Sequence, residues 1–234
     1  MNQDAELAAL RAQVQSLEQL QDLLLYTVTH ELRTPVMTIM GFADLMLNDI
    51  TSQQNSIQLQ TSLERIRTAA ERQGQMIHDL QRIATLARRP LQRDLVNLGE
   101  SMRELVNSQS ALVVQINPCS AVLADPVVMR IALECLLKIA TKLLERAAAT
   151  AIEFAEHLQT NLVTYTLRIS GTGLDLDTEQ TLLPMFRRLQ AGSEYAGAGI
   201  ALLEATMIIQ RHGGTLWISN HPNMELAVNF TLPL

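Results

Sequence analysis

The sequence predicts an α+β protein: a coiled-coil lead-in and long helical hairpin, then a sandwich of mixed sheet with helices on one face. Three observations carry this. Up to about residue 89, Pro35 is the only proline and Gly41 and Gly74 are the only glycines, while apolar residues recur at alternating steps of three and four. At RRPLQRD, residues 88 to 94, that texture ends on a proline. Beyond it, short β-branched runs alternate with helical ones, the mark of a sheet layer covered by helices.

The first helix begins as a heptad seam of Leu7, Leu10, Val14, Leu17, Gln21, Leu24 and Val28, continuing through Leu32, Ile39 and Met46. Residues 1–24 read as coiled coil, in which the polar Gln21 costs stability but fixes register. DITSQQNS, residues 49 to 56, has no periodicity and reads as a loop. A second stripe follows: Leu59, Leu63, Ile66, Ala70, Gln73, Ile77, Leu80, Ala84 and Ala87. Residues 25–89 therefore form an antiparallel hairpin. One hairpin buries both stripes poorly. Two hairpins paired as a four-helix bundle bury them well, so a homodimer is expected.

The second domain spans residues 95–234. ESMRELVNSQ reads as a helix and ALVVQI as a strand. DPVVMRIALECLLKIATKLLERAA is a long helix, with Asp125 as N-cap and Pro126 in its first turn. TAIEFA and LVTYTLRIS read as neighbouring strands. GIALLEATMIIQRHGG is a helix ended by glycine, and TLWISN with LAVNFTLPL a closing hairpin.

Composition narrows the function classes. Apolar residues make up 47% and aromatics 3%, so the core is aliphatic. The net charge of −6 and the lack of a basic patch argue against a nucleic-acid partner. No apolar run reaches the roughly 18 residues that span a bilayer, and MNQDAELAALRAQ lacks the apolar centre of a signal peptide. The chain reads as soluble and cytoplasmic, with no membrane span. Cys119 and Cys135 have no metal or redox spacing and read as small buried hydrophobes.

One short stretch points to chemistry. In YTVTHELRTP, residues 26 to 35, His30 lies about 200° around a helix from the seam residues Val28 and Leu32, and so faces outward. Thr34 sits one turn on, along the same face. Glu31 is adjacent. An outward imidazole beside a carboxylate has one nitrogen free to attack and an acceptor for its other proton. An ordinary solvated histidine fits the same spacing.

The whole string HELRTP, on the first helix of a dimerising hairpin, resembles the phosphoacceptor box of two-component sensor histidine kinases. The resemblance continues through GFADLM and RIATLARR to the end of the chain. It implies a sandwich of the histidine kinase ATPase type for the second domain. It implies that His30 accepts a phosphoryl group, that Glu31 acts as base, and that Thr34 orients a water during dephosphorylation of a partner. That partner would be the receiver domain of a response regulator.

The same resemblance expects ATP and Mg²⁺ in the second domain, and there the boxes depart from it. The asparagine that should ligate Mg²⁺ falls at Ile139, and an earlier frequent asparagine at Cys135; Lys142 is kept. Isoleucine offers no oxygen, whereas Mg²⁺ demands oxygen ligands. In ISGTGLD, Gly171 and Gly173 are in place, but the adenine-binding aspartate aligns with Ile169. GAGIALL keeps Gly197 and Gly199 and has Ala201 where a third glycine is usual. TEQTLLPMFRRLQAGSEYA, where the family carries a lid over the nucleotide, is short and poor in glycine. His212 reads as a helix C-terminal residue.

Three readings follow. In the first, His30 relays a phosphoryl group between receiver aspartates without ATP, and no cofactor or metal belongs to this chain. In the second, the protein is a sensor kinase that phosphorylates His30 from ATP with Mg²⁺. In the third, it is a pseudo-kinase scaffold. The intact His box beside altered ATP boxes favours the first.

Overall fold

A computed structural model describes residues 28, 32–46, 56–108, 113–144, 151–170, 198–221 and 225–234. These fall into two compact units, one ending at Thr85 and the other beginning at Leu86. The coiled coil expected at 1–24 and all but the last residue of the loop expected at 49–56 lie outside the described residues; that last residue, Ser56, opens the second helix.

The first unit holds two helices. α1, residues 32–46, runs unbroken through Pro35. α2, Ser56–Arg88, has 33 residues and contributes all but its last turn. The Arg65 guanidinium lies 5.0 Å from the centroid of the Phe42 ring, tying α2 to α1 by a cation–π contact. Along the part of α2 that belongs to this unit the buried positions are Ser62, Ala69, Met76 and Ile83, spaced by seven. Leu63, Ala70, Ile77 and Ala84 of the expected stripe, also spaced by seven, are exposed, as is Ala87. Leu59, Ile66, Gln73 and Leu80 lie half-buried between the two lines. The helix thus presents two overlapping seams, and only one is covered within the chain.

The second unit begins with β1 (Asp94–Asn97) and α3 (Leu98–Asn107), followed by β2 (Val114–Ile116), β3 (Ala121–Ala124) and α4 (Pro126–Leu144). Then come β4 (Ile152–Leu158), β5 (Leu162–Ile169), α5 (Ala198–Arg211), β6 (Leu216–His221) and β7 (Glu225–Pro233). The main sheet has the order β2-β4-β5-β7-β6, with β2 parallel to β4 and every other pair antiparallel. β1 and β3 form a separate antiparallel ribbon. Neither strand is evident in the sequence, because four residues are too few to show an alternation.

The core sits between the sheet and the pair α4 and α5. β5 alternates strictly, burying Val163, Tyr165, Leu167 and Ile169. Tyr165 stacks between Phe154 and Phe230, with ring centroids 5.8 and 5.0 Å away. Two elements are closed by local signals. Asn97 caps α3, its Oδ1 accepting from the Glu100 N–H and its Nδ2 donating to the Cys119 carbonyl. α5 ends in a Schellman motif: Gly214 N–H donates to Ile209 O and Gly213 N–H to Gln210 O, with Gly213 at φ +83°. A Cβ on Gly214 would fall 1.8 Å from the Thr231 carbonyl oxygen, so no side chain fits there.

Cys135 is buried as expected, whereas Cys119 is half-exposed. Cys119 lies on the loop before β3, with its sulfur against Gly99. Partial burial, and then the Glu156 carboxylate, push its thiol up to about 11. No helix among the described residues is long and apolar enough to cross a membrane.

Candidate functional site

Two places hold the residues singled out from the sequence. The first is the outer face of α1. His30 and Glu31 lie outside the described residues. Thr34 is exposed on α1, and its carbonyl accepts from the Thr38 hydroxyl at 3.0 Å. Pro35 is buried. Met37 and Gly41 follow Thr34 by three and seven residues, hence on the same helix face. Met37 is 62% exposed, and nothing lies within 4 Å of where a Cβ on Gly41 would stand. This face of α1 is therefore exposed and partly apolar beside Thr34.

The second place is the packing zone of α4, α5 and the end of β5. Ile139 and Ile169 are fully buried. Ile169 is paired across the sheet with Ile152 on one side and Leu226 on the other, both buried, so its environment is alkyl. Cys135 donates its thiol to Oε2 of Glu204 on α5, at 3.3 Å. Glu204 is 0% exposed. Sequence reasoning missed it; the signal that could have found it is a lone carboxylate interrupting the apolar run of α5. Lys142 is half-buried in the last turn of α4. Gly199 is buried in the first turn of α5, and Ala201 also faces inward. Gly171, Gly173, Gly197 and the segment expected as a lid lie outside the described residues.

α4 carries no oxygen donor at the two positions where the family resemblance expects asparagine. Position 135 carries a thiol already engaged with a carboxylate, and position 139 carries an alkyl chain. Neither offers the oxygen that Mg²⁺ requires. Among the described residues no three His, Cys, Asp or Glu side chains cluster to hold a metal ion.

The start of α4 carries a denser polar network than its sequence announces. Asp125 Oδ1 accepts from the N–H groups of Val127 and Val128, completing the expected N-cap. Its Oδ2 accepts from Gln92 N–H, 2.9 Å away and before β1. Its own N–H donates to Nε2 of His212, 3.0 Å away. Burial pushes the Asp125 carboxyl up, but its three backbone donors and Arg89 outweigh this, and it stays below the usual carboxylate value. Burial holds the His212 imidazole below its ordinary value. Its Nδ1 lies 2.8 Å from Ile208 O, which makes Nδ1 the protonated nitrogen of a neutral ring and Nε2 the acceptor. His212 is thus a helix C-terminal residue, as its position in the sequence implied.

Known proteins complete the picture. Residues 20–89 match the His Kinase A (phospho-acceptor) domain. The chain is 25% identical over 215 residues to the methanogenesis regulatory histidine kinase FilI of Methanothrix harundinacea, covering 89% of this chain and 24% of that protein. It is 26% identical over 227 residues to the sensor protein KdpD of Escherichia coli, covering 92% and 25%. It thus spans about a quarter of the length of each. Among solved structures, the histidine kinase AdeS of Acinetobacter baumannii aligns with TM-score 0.53 and 15% identity, covering 87% of this chain and 97% of that one. The histidine kinase ThkA, solved in complex with the response regulator protein TrrA, aligns with TM-score 0.57 and 17% identity over 100% and 67%. The fold is that of a histidine kinase: a phospho-acceptor hairpin followed by an α/β sandwich. Residues 20–89 belong to the His Kinase A (phospho-acceptor) family, and along most of its length the chain is similar to sensor histidine kinases.

Proposed function

We propose that this chain is a histidine phosphotransfer protein of two-component signalling, in which His30 exchanges a phosphoryl group with receiver-domain aspartates and ATP takes no part. The observation that carries this reading is the pair Ile139 and Ile169. Both are fully buried alkyl residues where the family resemblance expects the Mg²⁺-ligating asparagine and the adenine-binding aspartate. Losing a hydrogen bond to a charged acceptor costs roughly 1.5–3 kcal/mol, or about 10- to 150-fold in affinity. Cys135 and Glu204 add to it, since a buried carboxylate beside the altered asparagine position repels phosphate.

Transfer itself asks little of this domain. The phosphorus–oxygen bond of an aspartyl phosphate breaks as a phosphorus–nitrogen bond forms on the imidazole, whose other proton Glu31 accepts. The receiver brings its own Mg²⁺. What the hairpin supplies is position. Thr34 stands on the same face to orient a water for hydrolysis. The receiver docks on the exposed stretch of Met37, Met40 and Gly41, where adaptable methionine side chains suit a transient contact. The complex of ThkA with TrrA supports a receiver as the partner. The second, uncovered seam of α2 supports a homodimeric four-helix bundle.

The test uses the purified chain with two phosphodonors: a receiver domain carrying labelled aspartyl phosphate, and labelled ATP with Mg²⁺. Label should pass from the receiver to His30, vanish in His30→Ala, and not arise from ATP. Label on His30 from ATP would sink the relay reading and make the chain a working kinase. No label from either donor would leave the scaffold reading.

A further inference from the structure

α2 meets Pro90 two residues after its end, and this leaves a specific backbone group without a helical partner. The carbonyl of Leu86 would accept from the N–H of residue 90, but proline has none. Arg211, the last residue of α5, supplies the missing donor: its Nη1 donates to Leu86 O and its Nη2 to Arg89 O. A guanidinium at the carbonyl end of a helix is also favoured by the helix dipole. Three residues on, Gln92 N–H donates to Asp125 Oδ2. Asp125 is in turn held by the next residue of the same α5 terminus, through its N–H to Nε2 of His212. Asp125 and His212 are 1% and 2% exposed, so water does not compete for the bond between them.

We propose that Arg211, His212 and Asp125 form a clasp that fastens the segment from Leu86 to Gln92 to the ends of α4 and α5 within the α/β unit, and that proton uptake by His212 opens it. The clasp is independent of the phosphotransfer reading. Its switch follows from donor and acceptor counting. Neutral His212 accepts at Nε2 and donates at Nδ1, and both roles are filled. A second ring proton would sit on Nε2, facing the Asp125 N–H donor, and the bond would be lost. The charged groups acting on the ring are Asp125, which favours the proton, and Arg93 and Arg211, which oppose it, as does burial. Once protonated, the ring displaces the Asp125 backbone, and with it the carboxylate that caps α4 and holds Gln92.

The experiment is hydrogen exchange on the full chain, read as protection of residues 86–93 against that of β5 and β7, at about pH 7.5 and about pH 5.5. In the wild type, protection of 86–93 should fall by up to about tenfold at the lower pH while β5 and β7 keep theirs. Arg211→Ala should lose the same protection already at the higher pH. His212→Gln, whose amide oxygen accepts in place of Nε2 and does not titrate, should hold it at both. Equal protection of 86–93 in wild type and Arg211→Ala would overturn the clasp. Loss spread equally over β5 and β7 at the lower pH, or none anywhere, would overturn the switch, and both readouts stand even where His212→Gln does not fold.

Discussion

The thiol of Cys135 on α4 donates to Oε2 of Glu204 on α5 across 3.3 Å, joining the two helices that cover the sheet. A carboxylate with no solvent exposure is tolerated only while it is hydrogen-bonded. Cys135→Val keeps the shape and removes the donor, so it should cost about 1–3 kcal/mol in urea unfolding. Cys135→Ser restores a donor and should recover most of that loss. Equal stability of the Val variant and wild type would show that the bond contributes nothing.

Introducing the polar groups that the family expects should not restore nucleotide binding. Ile139→Asn and Ile169→Asp each place a polar or charged side chain in a fully buried apolar position. Each should destabilise the α/β unit by roughly 2–4 kcal/mol. Calorimetric titration with ATP and Mg²⁺ should remain flat for both. Micromolar binding by the folded double variant would mean that these two positions alone separate the chain from a kinase.

The two seams of α2 predict opposite outcomes for neighbouring substitutions. Met76 is 8% exposed and Ile77 47% exposed within one chain. Met76→Asp should unfold the hairpin. Ile77→Asp should leave it helical but shift the chain from dimer to monomer in light scattering. If both variants stay dimeric and folded, the uncovered seam is not the dimer interface.

Three glycines should respond to alanine in a fixed order. At Gly214 the new Cβ meets the Thr231 carbonyl, and α5 and the β6–β7 hairpin cannot both keep their places. That variant should be the most damaged in thermal unfolding. Gly213→Ala pays for a left-handed φ and should lose about 1–2 kcal/mol. Gly41→Ala meets open space on a helix and should gain about 0.5–1 kcal/mol.

Stability should depend on pH through two groups at one junction. The folded-state value of His212 lies below its unfolded 6.5, so the native state binds fewer protons. Its contribution is present above 6.5 and is lost as pH falls through the folded value. Asp125 lies below 3.8 and follows the same sign at lower pH: its contribution is present above 3.8 and lost beneath it. Urea midpoints should therefore fall in two stages on acidification, and His212→Gln should remove only the first.

Much of this was legible beforehand, for local reasons. The N-cap at Asp125, the glycine stop of α5, the alternation of β5 and the string HELRTP each depend on residues close in sequence. The short strands β1 and β3 were not, because four residues are too few to show an alternation. Nor was the choice between the two seams of α2. Leu63, Ala70, Ile77 and Ala84 carry as good a heptad as Ser62, Ala69, Met76 and Ile83, and a better one by hydrophobicity.

By itself the sequence determined the long helices and the longer strands, and where HELRTP, Ile139 and Ile169 stand along the chain. Periodicity, capping and side-chain identity are properties of a short window. Only the tertiary structure decided which face of α2 is covered within the chain, that Glu204 meets Cys135, and that Arg211 and His212 reach back to Leu86 and Asp125. Those contacts join residues 69 to 125 positions apart, and their geometry exists only once the helices are docked on the sheet.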